Sequence, residues 1–292
     1  MIKKENSLGK IKVFSTQINI LPDVENQKFE SKLLYEEKSS VFFSGGFRTD
    51  GLFKSSHLNQ PLISIIMPNF KSNTLKKAIN SILDQEYENI ELIIIDGNSG
   101  QETIDILNNF TNDIDYWISE NDNGLWDAWN KGFKLARGDF IGIVDSTNLL
   151  IKDSLSIIKN YINQNKKIDF ICGTIKKDNK IYAGYRKHDI KTAFNIIPSS
   201  IGGFFINLKS LKKVGLMNIE YKIQSDYDLL YRFIVNHKMN GLPTKGDELI
   251  ADLGNSGISI ENKYYFKLFN ELKIRYNNKK NIFILIYIFF KR

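Results

Sequence analysis

Two kinds of apolar pattern alternate along the middle of the chain. LISIIM (62–67) is a continuous apolar run closed by Pro68, and IELIII (90–95) is a second run that ends at Asp96-Gly97-Asn98-Ser99. Runs of this length bounded by turn residues predict buried strands. Between them Leu75, Ala78, Ile79, Ile82 and Leu83 recur at i, i+3, i+4, i+7 and i+8, which is one face of a helix. The alternation continues with a helix through Ile104 and Leu107 and a weaker strand over 115–118. A helix over 125–136, a strand over 140–144 and a strand in IDFICG (168–173) follow. Strands alternating with helices at short intervals predict an α/β fold with a largely parallel sheet. Ligands of such open sheets bind beyond the strand C-termini. Pro68-Asn69, Asp96-Gly97, Asp122 and Asp145 gather at that edge. Each acid alone reads as a helix cap; three on one crevice predict a nucleotide or metal site.

The flanks differ from this centre. Residues 1–60 are polar, and SGGFRTDG (44–51) predicts a hairpin or irregular extension. The expected organisation is an N-terminal extension over 1–60, an α/β domain over 61–260 and a C-terminal tail over 261–292. The stretch 174–190 is basic and polar, a solvated face or a site for an acidic acceptor. IPSSIGGFFI (197–206) carries a Gly-Gly suited to close backbone approach to a ligand. SDYDLLYRFI (225–234) reads as a helix start that sets Asp226 or Asp228 near a positive helix end. LGNSGIS (253–259) is a glycine-punctuated loop.

Charge changes the picture at the C-terminus. The chain's formal net charge is +7, and residues 261–292 hold eight basic against two acidic side chains, a net +6. The same tail holds nine of the 36 aromatics. A basic, aromatic tail on a nearly neutral body predicts a membrane surface as partner. Its apolar stretch IFILIYIFF (282–290) is flanked by Lys279, Lys280, Lys291 and Arg292. Upstream, Tyr265, Phe269, Leu272 and Tyr276 form an amphipathic face. The alternative is a terminal helix packed on the body. No stretch reaches the roughly 18 apolar residues of a membrane span, and the first thirty residues lack a signal-peptide core. The expected location is therefore cytoplasmic, peripheral on the inner face of the cell membrane. Cys172 is the only cysteine, so no intrachain disulfide forms, and its apolar strand predicts inert core. Nucleic-acid binding is disfavoured, because the charge concentrates in a hydrophobic tail and the body has no aromatic-basic interleaving.

Several segments resemble a known family. PLISIIMPNF, NSILDQEYENIELIIIDGNS, SENDNGLWDAWNKGFKLARGDFIGIVD, SDYDLLYRF and SGIS occur in order, from about Pro61 to Ser259. Together they resemble the family 2 inverting glycosyltransferases of the GT-A fold, and GGFRTDGLFK resembles the lead-in of some bacterial surface-polysaccharide members. The resemblance implies a largely parallel Rossmann-like sheet flanked by helices, with C-terminal amphipathic helices. It implies that Pro68 and Asn69 meet the nucleotide, that Asp96 accepts from a uracil N–H, and that Asp122 contacts the nucleoside. Trp126 stands where Tyr is usual, and Asn130-Lys131-Gly132 matches the family's Asn-Lys-Gly, with Lys131 among the nucleotide-sugar-binding residues. Asp226 falls on the acid of the catalytic-base motif, whose preceding Glu is Ser225 here.

The loop after the strand at 140–144 departs from the pattern. Relatives carry two further acids where this chain has Asp145-Ser146-Thr147-Asn148. Mg²⁺ and Mn²⁺ take oxygen ligands, commonly one or two carboxylates plus diphosphate oxygens. Three readings stay open: Asp145 with an Asn148 or Thr147 oxygen holds Mn²⁺ or Mg²⁺ weakly; Lys131, Arg137 or Arg186 stabilises the diphosphate instead; or activity is lost. The implied chemistry is a hexosyltransferase-class displacement from a nucleotide sugar, UDP-linked, with inversion to a β-linkage. Asp226 acts as general base. The implied acceptor is a saccharide on a polyprenyl-diphosphate lipid, in surface polysaccharide (O-antigen or capsule) synthesis. The alternatives are a degenerate sugar-nucleotide- or partner-binding protein and a nucleotidyltransferase. The last expects a glycine-rich phosphate loop, and PNFKSN has no glycine.

Overall fold

The structure, a computed structural model, describes residues 1–16, 29–36, 42–184, 201–254 and 264–278; in the last segment the side chains of Tyr264, Tyr265, Lys267 and Leu268 are not described. Two short antiparallel strands come first, β1 (Ile2–Glu5) and β2 (Ile11–Phe14). Next are β3 (Phe43–Gly45), β4 (Ile63–Asn69), α1 (Leu75–Leu83), β5 (Ile90–Asp96), α2 (Gln101–Asn109), β6 (Tyr116–Ser119), α3 (Leu125–Leu135) and β7 (Phe140–Ile143). The second half holds β8 (Leu149–Leu150), α4 (Ser154–Gln164), β9 (Phe170–Cys172), β10 (Thr174–Lys177), β11 (Lys180–Tyr182), β12 (Phe204–Asn207), α5 (Leu208–Val214), α6 (Ser225–Tyr231), β13 (Gly241–Pro243), β14 (Leu249–Leu253) and α7 (Tyr264–Asn277).

The main sheet has eight strands in the order β13-β9-β12-β7-β4-β5-β6-β3. Six run in one direction; β12 and β3 oppose them. A smaller sheet, β11-β10-β14-β8, lies beside it. Side chains of a strand alternate between faces, and the two central strands obey this. Ile66, Ile93 and Ile95 point into a core with Trp129 and Phe133 of α3, Leu211 of α5 and Leu229 of α6. Ile65, Met67, Leu92 and Ile94 point the other way, onto Ile79 and Ile82 of α1, Leu107 of α2 and Leu155 and Ile158 of α4. The result is helices on both faces of a mostly parallel sheet, which is why both central strands are apolar throughout.

One expectation is corrected. Pro68 lies inside β4 rather than closing it. The β4–β7 ladder stops at Ile66, so Pro68 flanks a loop whose Ser146 N–H donates to its carbonyl, and a missing N–H is tolerated at such a ladder end. Of the two forms expected for residues 44–51 the hairpin does not occur: β3 pairs with β6 at the sheet edge, and 47–50 make a short 3-10 turn. In the tail's first half α7 packs Glu271, Ile274 and Arg275 inward. Of the face expected to meet lipid, Phe269 and Tyr276 are exposed while Leu272 is half-buried; the side chain of Tyr265 and all of 279–292 lie outside the described residues. No helix among the described residues is long and apolar enough to cross a membrane.

Candidate active site at the C-terminal edge of the sheet

The parallel register puts Asn69, Asp96 and Ser119 side by side at the ends of β4, β5 and β6. Asp96 is 0% exposed. Its carboxylate accepts from Asn69 Nδ2 at 2.6 Å, Ser119 Oγ at 2.6 Å, Ser99 Oγ at 2.5 Å and Ser99 N at 3.0 Å. A carboxylate offers about four lone-pair sites, so protein donors fill Asp96. The Ser99 hydroxyl lies on the loop beyond the strand ends, whereas Asn69 and Ser119 are in strands and buried. Asn69 is 3% exposed, and its Oδ1 takes no hydrogen bond.

Phe70 and Asp122 lie just outside this knot. Phe70, next after Asn69, is 65% exposed. A Cβ at Gly97 would sit 2.8 Å from Asp122 Oδ2 and 3.2 Å from Phe70 Cδ2. Gly97 therefore lets Phe70 and Asp122 close in on the backbone after β5, where any side chain would collide with both. Asp122 accepts from Gly124 N at 2.8 Å. Burial raises its pKa above the ordinary carboxylate value, against that hydrogen bond and the pull of Lys131. Lys131 faces Glu120 at 2.6 Å and Asp127 at 3.8 Å.

Asp145 follows β7, and its loop is tied to the first strand. Ser146 N donates to Pro68 O, and the hydroxyls of Ser72 and Thr74 donate to Ser146 O. Burial raises the Asp145 pKa, opposed by hydrogen bonds from Thr147 and Asn148. Thr147 donates both its N–H and its hydroxyl to Asp145 Oδ1, at 2.9 and 2.5 Å. Asn148 Oδ1 accepts from Gly254 N at 3.2 Å. The two residues that replace acids thus serve as turn-formers. Among the described residues no group of three His, Cys, Asp or Glu side chains is arranged to hold a metal. Among the described residues of this loop, Asp145 is the carboxylate that could hold a divalent ion, with its remaining ligands from elsewhere.

Asp226 opens α6. It accepts from Tyr227 N at 2.9 Å, and burial raises its pKa. No ion pair to it occurs among the described residues. Asp228, the other acid of this turn, is committed: Arg232 Nε donates to it at 2.9 Å and Asn278 Nδ2 at 2.9 Å. Ser225, in the place of the family's Glu, donates to Asn218 O at 2.8 Å. The loop before α6 is held to the start of α3, because Trp126 Nε1 donates to Lys222 O at 3.1 Å. That bond joins the segment after Asp122 to the segment before Asp226. Asn130 exchanges two hydrogen bonds with the backbone of Met217, each 2.9 Å. A Cβ at Gly132 would meet Ile66 at 2.1 Å. Asn130 and Gly132 therefore act in packing, fastening α3 to its neighbours.

The structure thus brings Pro68, Asn69, Asp96, Asp122 and Asp145 to one edge and ties the Asp226 loop to it. Arg137 is elsewhere: its N–H donates to Ser64 Oγ and Glu91 Oε2 near the start of β4 and β5, about 17 Å from Asn69 at a strand rise of ~3.3 Å per residue. Arg186 and the SGIS segment lie outside the described residues. Sequence reading missed Phe70, Ser99 and Ser119. An exposed aromatic after a strand end was the available signal for Phe70; no local pattern marks the two serines.

Comparison with known proteins bears on the family and the fold. The profile of glycosyl transferase family 2 matches residues 64–230. An uncharacterized glycosyltransferase of Rickettsia typhi is 31% identical over 189 residues, covering 60% of this chain and 59% of that protein; the chain thus spans about three fifths of that relative. A PGL/p-HBAD biosynthesis glycosyltransferase of Mycobacterium bovis is 27% identical over 186 residues, 60% of this chain and 71% of that one. S. aureus TarS (residues 1–349, in complex with UDP-GlcNAc) superposes with a TM-score of 0.58 at 17% identity, covering 78% of this chain and 71% of TarS. The mannosyltransferase PcManGT from Pyrobaculum calidifontis, in complex with GDP-Man and Mn²⁺, gives 0.55 at 13% identity over 76% and 66% of the two chains. The fold is that of the GT-A glycosyltransferases. With a family match that spans more than half its length, the chain belongs to glycosyl transferase family 2.

Proposed function

We propose that this protein transfers a sugar from a nucleotide donor, a UDP-sugar, to a saccharide acceptor with inversion at the anomeric carbon. The observation that carries the reading is the meeting of exposed Phe70 with Asp122 at Gly97, beside the buried Asn69–Asp96 pair. The base stacks on Phe70, its ring N–H replaces the Ser99 hydroxyl at Asp96, and Asp122 accepts from the nucleoside. Pro68 and Asn69 shape the wall, and Asp145 faces the diphosphate. Asp226 takes the acceptor hydroxyl's proton as that oxygen attacks the anomeric carbon. The bond to the diphosphate breaks and the nucleoside diphosphate leaves with the electron pair. An α-linked donor then yields a β-linked product. A raised carboxylate pKa suits a base, since proton affinity near working pH favours transfer.

Mn²⁺ or Mg²⁺ held by Asp145 and the donor's diphosphate would supply neutralisation of the leaving charge. Lys131 is already paired with Glu120, and the Arg137 guanidinium lies over the Phe53 ring, which favours this over fixed cations. The basic tail supports a place on the cytoplasmic face of an anionic membrane, beside a lipid-linked saccharide acceptor of surface-polysaccharide synthesis. UDP release from a panel of UDP-sugars, with and without saccharide acceptors and Mn²⁺, tests the reading. Acceptor-dependent release supports it. UDP binding without turnover under all conditions favours a degenerate binding protein, for which the Thr147 and Asn148 replacements are the support.

A further inference from the structure

The family match ends at residue 230, yet α7, more than thirty residues later, is fastened to the helix that carries Asp226. Arg275 is 1% exposed. Its Nε donates to the Tyr227 hydroxyl at 2.9 Å, its Nη2 donates to Glu271 at 3.4 Å, and its guanidinium faces the rings of Tyr227 and Tyr231. The Tyr227 hydroxyl also hydrogen-bonds Glu271. On the next position of α6, Asn278 holds Asp228 at 2.9 Å, and Asn278 is itself held by Asn236 at 2.7 Å. Asn277 donates to the Tyr221 hydroxyl, in the loop that leads into α6, at 2.9 Å.

Successive side chains of a helix diverge by about 100°. Pinning Tyr227 and Asp228 therefore fixes the rotation of α6 about its axis, and with it the direction of Asp226. At a side-chain radius of ~5–6 Å, a rotation of about 10° moves that carboxylate by about 1 Å, and a displacement of that size can cost ~10²-fold in rate. A tyrosine packed only for volume needs no wholly buried arginine and glutamate on its hydroxyl. Burying a guanidinium is costly unless geometry is exacting, which matches the planar fork that Arg275 presents.

We propose that Arg275 is a positioning residue for the transfer step: through Tyr227 it sets the orientation of Asp226, so residues 264–278 belong to the catalytic unit. This rests on Asp226 being the base. The test uses the full-length protein and its Arg275→Lys, Tyr227→Phe and Asp226→Asn variants. UDP release is followed from UDP-GlcNAc and UDP-glucose, with octyl glycosides or water as acceptor, and rates are expressed per UDP-binding site measured by calorimetry. Arg275→Lys keeps the charge but loses the fork. Its kcat should fall about 10–100-fold, with donor KM and UDP affinity within twofold of wild type. Tyr227→Phe keeps the ring and should lose less. The acid limb of the pH profile should not move, because Arg275 acts on direction, not on the charge of Asp226. A purely structural role predicts fewer UDP-binding sites and an unchanged rate per site, which overturns the proposal. Asp226→Asn without activity, beside Arg275→Lys and Tyr227→Phe at wild-type kcat, overturns the clamp alone. Full turnover in Asp226→Asn, or none in wild type, overturns the base reading and the clamp with it.

Discussion

The two edges of the main sheet bury acids in opposite ways. At the edge where the parallel strands start, Glu91 is buried, and burial alone pushes its pKa up. The Arg48 guanidinium, the Ser64 hydroxyl and the Arg137 N–H overcome that and hold it below the ordinary value. Lys54 pairs with Asp115 at 2.8 Å beside it. At the edge where the strands end, Asp122, Asp145 and Asp226 have no ion-pair partner among the described residues, and burial raises all three. One edge neutralises its charges within the protein, which serves folding. The other leaves carboxylates for a ligand to complete, a stability cost that fits a binding or catalytic site.

Removing one charged group from each edge should therefore have different consequences, for turnover at one and for stability at the other. The largest effect is expected at Asp226. Asp226→Asn keeps size and hydrogen bonding but cannot take a proton, so turnover should drop by on the order of 10²–10⁴-fold while UDP affinity and fold hold. Near-normal turnover in the assay above would return Asp226 to the role of a helix-start charge. At the other edge, Arg48→Met strands a buried Glu91 and should cost about 3–5 kcal/mol of stability. Urea denaturation measures this, and a loss under about 1 kcal/mol would show that the pair is not what holds that edge together.

Two smaller effects sharpen the contrast. Asp96→Ala removes the acceptor on which Asn69, Ser99 and Ser119 converge. UDP binding should weaken by about 1–3 kcal/mol through unpaired buried partners, and calorimetry with equal UDP affinity would exclude Asp96 from base recognition. The smallest effect concerns pH. Asp122 has a raised folded pKa, so the folded state binds its proton more tightly, and stability falls as pH rises from the ordinary carboxylate value through the folded one. Asp122→Asn should thus melt slightly above wild type at neutral pH, with the gain vanishing at pH below the ordinary carboxylate value. Glu91 has the reverse sign: its contribution is present above its unfolded pKa and is lost as pH falls through the lower folded value. Thermal melts across pH that show the same sign for Asp122→Asn and Glu91→Gln would erase the distinction between the edges.

Much of this was readable along the chain because periodicity is a local property. The continuous runs at β4 and β5 and the i, i+3, i+4 spacing of α1 follow from how strands and helices present side chains, so they could be read residue by residue. The gathering of Asn69, Asp96, Asp122 and Asp145 was readable too, since parallel strands deliver their C-termini to one edge. Burial, rotation and pairing between distant residues were not. Nothing near Asp96 in sequence announces that Ser119 fills its carboxylate, and nothing near Asp145 announces that Asn148 turns to Gly254. The composition of 261–292 suggested lipid, but whether Arg275 meets water, phosphate or Tyr227 depends on where α7 lands, a contact across 48 residues. Arg137 stands in the segment that matches the family, and only the strand register shows that it belongs to the far edge of the sheet. Local patterning specifies elements; the free-energy cost of burying a charge then selects among arrangements, and that cost is set by partners the chain brings together only when folded.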